Sequence, residues 1–266
     1  MRRIRIYRGS RASGGARILA RALGGRTIAR TNTRFRPRPT DTIINWGCGA
    51  RPEGWDDVVV VNTFSAVRAA IDKLETFRAL SEHNVPTLEW SEDREDAVRW
   101  RERGSRVIVR NRLKASQGRG IQVIETRGDD DIPNAPLYTR YFRAEAEYRI
   151  HVMGGRVFDR QRKRRRTTEE ITGEQRNGED EATETSNEIR NHDGGWVYCR
   201  EGVEPIAALD EACTAAVKAV GLDFAGVDAR YSRTGRCAVI EVNSAVGLGG
   251  RTSRDRWAAA LHTYIT

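Results

Sequence analysis

The chain holds four cysteines in 266 residues, Cys48, Cys199, Cys213 and Cys237, far apart and with no CxxC pair. Neither a disulfide framework nor a cysteine zinc site is signalled, so reduced thiols in a cytoplasmic compartment are the expectation. No run of about 18 apolar residues occurs, which gives no sign of a membrane span. The start MRRIRIYRG has basic residues but no apolar core of signal-peptide length, so a protein that is not exported is expected. The histidines, His83, His151, His192 and His262, show no metal spacing. Lysine is scarce: four of the 46 basic residues are lysine and the rest arginine.

Arginine is abundant instead. A net charge of +9 and a pI near 9.8 raise the possibility of nucleic-acid binding through displaced counterions. Yet arginine is spread along the whole chain rather than gathered in one stripe. The densest cluster, Arg160, Arg162, Lys163, Arg164, Arg165 and Arg166, has no interleaved aromatic residue on which bases could stack, so nucleic acid is not the expected partner. Trp46, Trp55 and Trp100 are expected in core or interdomain packing rather than in a base-stacking platform. At this length two or three subdomains are the natural arrangement.

Along the chain, residues 2–7 alternate apolar and basic and predict a strand, followed by a glycine-rich turn and a helix over 16–23. Further strands are expected at 40–46 and 58–61, completing a small α/β domain over residues 1–65. Val67, Ile71, Leu74, Phe77 and Leu80 predict one helix from Ala66 to Glu82, interrupted by Lys73. Ser91 is the expected N-cap of a helix reaching about Arg103. Strands at 106–110 and 121–125 flank a loop in which Ser116, Gly118 and Gly120 could offer N–H groups and a hydroxyl to an anion. Strands at 137–142, 147–153 and 156–162 follow, with Glu147, Arg149 and His151 on one face. Residues 167–187 are polar and acidic and are expected to be mobile in the free protein. A helix over 205–220 and a final helix over 251–264 complete the reading.

Between those last helices, Ala225–Tyr231 and Cys237–Val242 predict an antiparallel hairpin across Ser232, Thr234 and Gly235. Glu241 and Asn243 share a face by the period of two, and the partner strand can bring Asp228 beside them. Two carboxylates and an amide oxygen suit Mg²⁺ with its bound waters and substrate phosphates. A hairpin whose polar residues merely face water is the competing reading.

These pieces, in this order, resemble the ATP-grasp superfamily, specifically its carboxylate-amine ligases and among them the RimK-like and phage-type members. The resemblance covers roughly residues 71–266. Ile71 to Trp90 (IDKLETFRALSEHNVPTLEW) is similar to the DK helix and its proline-containing entry strand. Val107–Val123 is similar to the strand and glycine-rich loop over the phosphates, Leu137–Val152 to the hinge and ribose strand, and Val227–Leu248 to the D…ExN metal hairpin. The implied fold is α+β: a small N-terminal α/β pre-ATP-grasp domain over 1–65, then an ATP-grasp domain over 66–266. Within the latter, about 87–140 would form the nucleotide-covering subdomain and 141–266 the metal-binding one.

The resemblance implies site residues as well. Lys73 would contact the nucleotide phosphates, and Arg110 stands where a second phosphate-binding lysine is usual, with Lys114 as its rival. Ser116, Gln117 and Gly118 would cap the phosphates, Tyr141 and Phe142 would meet adenine, and Glu147 the ribose. Asp228, Glu241 and Asn243 would hold two Mg²⁺ ions. Arg149, Lys163, Arg190 and Asn191 are nominated for acylphosphate and substrate binding. Gly226 stands where D-alanine ligases carry an arginine, which disfavours that subfamily. The implied activity is ATP- and Mg²⁺-dependent joining of a carboxylate to an amine through an acylphosphate, with an amino acid or peptide as substrate and residues 167–187 as a lid. A kinase that stops at phosphoryl transfer, and a basic nucleic-acid-binding protein, are the alternatives.

Overall fold

The computed structural model describes residues 3–9, 14–31, 34–56, 58–114, 119–127, 131–170, 190 and 195–266. Among these residues the strands form three sheets. The first is parallel, in the order β2-β1-β3-β4, from β1 (Arg3–Arg8), β2 (Arg26–Ala29), β3 (Asp41–Trp46) and β4 (Val60–Val61). Helix α1 (Gly14–Ala22) is the crossover between its first two strands and buries Ala16, Leu19 and Ala20. Strand β2, not foreseen from sequence, lies at the sheet edge, where the mixed pattern RTIA carries only a weak period-two signal.

The helix expected over 66–82 is two helices, α2 (Phe64–Ile71) and α3 (Lys73–Glu82), broken at Asp72. Asp72 has an extended backbone, and its carboxylate accepts the N–H groups of Leu74 and Glu75, so it caps a new helix instead of continuing the old one. Periodicity alone could not show this, because the apolar spacing runs across the break. Lys73 thereby becomes the first residue of α3, and its N–H is tied to the Leu113 carbonyl at 3.1 Å.

A second, antiparallel sheet has the order β5-β8-β6-β7, with β5 (Trp90–Ser91), β6 (Val107–Arg110), β7 (Ile121–Ile124) and β8 (Leu137–Arg140). Its core of Trp100, Val107, Val109, Ile124 and Tyr138 is closed by α4 (Arg94–Glu102). The N-cap of α4 is Asp93 and not Ser91, whose hydroxyl instead donates to Asp96 at 2.6 Å.

The third sheet is antiparallel, in the order β11-β10-β9-β12-β13, from β9 (Ala146–Met153), β10 (Arg156–Arg165), β11 (Trp196–Cys199), β12 (Phe224–Tyr231) and β13 (Cys237–Asn243). Alternation sorts its two faces. Tyr148, Ile150, Val152, Ala225, Val227 and Ala229 pack under helix α5 (Ala207–Val220), while Glu147, Arg149, His151, Gly226 and Asp228 lie on the other side.

Helix α6 (Arg251–Ile265) joins the first sheet to the third. Its Trp257 and Leu261 sit in one buried cluster with Ile6, Leu19, Ile44 and Trp46 from the N-terminal segment and Met153, Phe224, Val246 and Leu248 from the C-terminal one. Trp46, Trp55 and Trp100 are all buried, as expected, and all four cysteines are free. Among the described residues no helix is long and apolar enough to cross a membrane.

Candidate active site

The hairpin of β12 and β13 forms as its sequence predicts, and its register sets Asp228 opposite Glu241 and Gly226 opposite Asn243. A bulge falls between Asp228 and Ala229, where Ala229 pairs with Val239 and Ile240 is the extra residue. Bulges re-aim side chains next to functional sites. Here Ile240 and Glu241 both turn into the cleft beside Asn243, while Val239 and Val242 stay in the core.

The cleft encloses about 870 Å³ and is walled by the second sheet (Ile108, Ile121, Val123) and the polar face of the third. Among the described residues no three His, Cys, Asp or Glu side chains gather as metal ligands, so a cation here would need the amide of Asn243 as its third protein donor. That amide is available. Its Nδ2 is buried with no hydrogen-bond partner, and a half-turn of the group puts Oδ1 in that place. Two carboxylates and such an oxygen fit Mg²⁺.

Arg149, on the neighbouring strand in register with Asp228, donates to both of its oxygens, at 2.6 and 2.8 Å. Burial works against the Asp228 carboxylate, but the Arg149 charge and hydrogen bonds, with Lys163, outweigh it and hold its pKa below the ordinary aspartate value. Tyr198 completes this group and was missed in the sequence. Its ring lies 4.4 Å from the Arg149 guanidinium, a cation–π distance, and its hydroxyl donates to Asp228 at 3.3 Å. Burial, then the Asp228 charge, push the Tyr198 pKa well up, so it stays a donor. Only the short apolar and aromatic run WVYC of β11 could have suggested it.

The predicted nucleotide residues divide. Lys73 lines the cleft 3.5 Å from Glu241. Arg110 lines it too, with only 8% of the residue exposed and its Nε without a partner; burial lowers its pKa to about 10. Lys114 is instead 64% exposed, lies outside the cleft lining and pairs with Asp72 at 3.5 Å. Tyr141 and Phe142 line the cleft, with the Arg106 guanidinium 4.0 Å above the Tyr141 ring. Glu147 is buried, taking Lys163 on one oxygen at 2.5 Å and Arg230 on the other at 3.1 Å. Lys163 also donates to the Arg190 carbonyl, and the Arg190 guanidinium stacks 4.7 Å over Trp196. Ser116, Gln117, Gly118, Asn191 and His192, with 171–187 of the acidic segment, lie outside the described residues.

Most of the arginine run that begins on β10 has partners within the chain, while Arg162 is exposed. Arg160 pairs with Asp210 and Arg164 with Glu170, Arg165 stacks on Trp196, and Arg166 is buried. A Cβ at position 226 would lie 2.3 Å from Cγ1 of Val246, so a side chain there would require that residue to move.

No family model and no curated protein sequence matches the chain. Solved structures do. The chain is similar to the ATP-grasp ligase PsnB in complex with its minimal precursor, Mg and ADP, at 15% identity and a TM-score of 0.64, covering 99% of this chain and 97% of that one. It is similar to D-alanine–D-alanine ligase from Bacillus anthracis, at 12% identity and a TM-score of 0.65, covering 100% and 98%. N5-carboxyaminoimidazole synthetase from Staphylococcus aureus complexed with ADP gives 10% identity and a TM-score of 0.66, covering 98% and 78%. At these identities the likeness establishes the fold, which is the α+β ATP-grasp fold.

Proposed function

We propose that the chain is an ATP- and Mg²⁺-dependent ligase that joins a carboxylate to an amine through an acylphosphate, acting on an amino acid or peptide. One observation carries the reading: the in-register pair Asp228–Glu241, with Asn243, opens on the same cleft as Lys73 and Arg110. Oxygen donors for a hard cation thus face two cations suited to phosphate, in a chain whose fold is that of several ATP-dependent ligases. Glu147 is the proposed ribose contact, and the backbone at Tyr141 and Phe142 the adenine contact. Arg110 rather than Lys114 is the second phosphate ligand in this reading, since it reaches the cleft.

The chemistry balances in two steps. A carboxylate oxygen of the first substrate attacks the γ-phosphorus, the bond to the bridging oxygen breaks, and ADP leaves. The lone pair of the amine then attacks the acyl carbon, the carbon–oxygen bond breaks, inorganic phosphate leaves and the amine gives up a proton. Both steps build negative charge on oxygen, so fixed cations in a partly dry cleft are worth more than a covalent nucleophile. Arg149, Lys163 and Arg190 are the proposed groups over the acylphosphate. Bound Mg²⁺ would neutralise the phosphate oxygens from Asp228, Glu241 and Asn243.

Calorimetric titration with a non-hydrolysable ATP analogue tests this. Binding is expected to need Mg²⁺ and to weaken by at least about tenfold in Glu241→Gln, the loss of one charged ligand. Equal binding by the two proteins, or none by either, would sink the proposal. ADP release that requires both a carboxylate and an amine separates a ligase from a kinase.

A further inference from the structure

The net charge of the chain is not shared between its two parts. Residues 1–65 hold thirteen arginines, no lysine and four acidic residues, which leaves +9, the net charge of the whole chain. Residues 66–266 hold 33 basic and 33 acidic residues and balance. Arginine occurs throughout, but the acids that offset it do not: residues 1–40 carry twelve arginines and no Asp or Glu at all. Such asymmetry is the footprint of a surface for a polyanion. The run on β10, which gave no reason to expect nucleic acid, differs in this respect, since Arg160 and Arg164 have carboxylate partners.

The fold sets seven of these arginines around one edge of the first sheet. Arg17 and Arg21 are exposed and four residues apart on α1, hence on one face of it. Arg26 is exposed at the start of the edge strand β2, and Arg30 is exposed just beyond its end. From residue 34 to 38 exposure alternates: Arg34, Arg36 and Arg38 are exposed, while Phe35 and Pro37 between them are part-buried, with Phe35 against Trp55. Leu19 of α1 packs with Ile6 in one buried cluster, and Phe35 packs with Tyr7 and Ile28 in another. Neighbouring residues of a strand point to opposite faces, so α1 and the 34–38 run lie on the two faces of the sheet and flank β2 with arginine on both sides.

The chemistry of this surface selects among polyanions. Among the described residues the exposed large apolar side chains are Val59, Ile71 and Tyr264, none of them in this stretch. It therefore lacks the apolar anchors on which a polypeptide interface or an inserted membrane helix depends. Tyr7, Trp55 and Phe64 are buried, which leaves no platform for the unstacked bases of a single strand. A duplex asks for neither, because its bases stay stacked and its phosphates face outward, where guanidinium forks can clasp their oxygens. We propose that the arginines flanking β2 bind the phosphate backbone of duplex nucleic acid, without reading its sequence. None of the seven lines the cleft, so this surface is separate from the candidate nucleotide site and does not depend on the ligase reading.

Fluorescence anisotropy of short labelled DNA and RNA duplexes, titrated with the full chain between about 50 and 200 mM salt, tests this. Seven phosphate contacts would set the slope of log K against log salt near about −6, and a slope steeper than about −3 is expected. In the triple variant Arg34→Gln, Arg36→Gln, Arg38→Gln the slope should become shallower by about 2 to 3, with affinity at low salt lower by at least about tenfold. The double variant Arg17→Gln, Arg21→Gln, on the other flank, should act in the same direction and serves if the triple fails to fold, which thermal melting reports. A control triple, Arg103→Gln, Arg156→Gln, Arg162→Gln, removes the same net charge from exposed positions in residues 66–266 and should leave affinity within about threefold. Tighter binding of one duplex names DNA or RNA as the source, and equal binding means that the shared phosphate backbone is all that is recognised. No binding of either duplex, an unchanged slope in both β2-flank variants, or an equal loss in the control would overturn the proposal. So would displacement of the duplex by the ATP analogue, which would place it in the cleft. Tighter binding of polyglutamate or of phosphatidylserine vesicles than of either duplex would overturn it in favour of an acidic polypeptide or a membrane surface.

Discussion

His151 shows how a single buried side chain makes stability depend on pH. Burial, aided by the charges of Arg149 and Arg200 and opposed by Gln161 and Asp159, lowers its pKa from 6.5 to about 4. The unfolded chain takes up this proton near pH 6.5 and the folded chain only near 4, so the neutral ring's contribution is complete above about pH 6.5. It is lost progressively as pH falls toward 4, by about 3 kcal/mol in total. Denaturant midpoints measured from pH 7 to 4.5 should therefore fall more steeply in wild type than in His151→Gln, which has no proton to gain. Parallel slopes would rule this out. Lysine carries similar weight. In a chain where arginine is used almost everywhere, two of the four lysines, Lys73 and Lys163, line the cleft. A compact ammonium fits between Glu147, the Arg190 carbonyl and the Tyr198 ring where a planar guanidinium would not.

At the level of elements, the break between α2 and α3 places Lys73. Removing the cap by Asp72→Ala is expected to cost about 1 kcal/mol. Asp72→Asn keeps an oxygen for the Leu74 and Glu75 N–H groups while dropping the charge that faces Lys114, and should retain most of that stability. Equilibrium denaturation of both variants decides it: equal losses would mean that the ion pair, not the cap, is what counts. The sequence hid this break because Val67, Ile71, Leu74, Phe77 and Leu80 keep helical spacing across it. The hairpin of β12 and β13 was legible because its alternation and turn residues agree. Its bulge at Ile240 was not, since an added residue leaves no mark on composition.

The whole molecule is held together by the cluster around Trp257, which stacks edge-on against Trp46, Phe158 and Phe224. Trp257→Ala should remove about 3–5 kcal/mol, the usual range for a large buried aromatic. Since the cluster joins the first sheet to the third, wild-type unfolding should appear as one transition by tryptophan fluorescence and by far-UV circular dichroism. Two separated transitions would show instead that the N-terminal segment melts on its own.

Local pattern determined most of the strands and helices, the metal-type hairpin, and the likeness to ATP-grasp ligases, because each depends on residues near in sequence whose periodicity or turn chemistry is written in the chain. Tertiary structure decided what depends on distant partners. It brought Arg149 onto Asp228, set Tyr198 beneath both Arg149 and Lys163, and chose Arg110 over Lys114 for the cleft. The contacts of Arg149 and Tyr198 follow from strand order and register across the third sheet, whose neighbours β11, β10, β9, β12 and β13 are not in chain order. No local window of sequence contains that order.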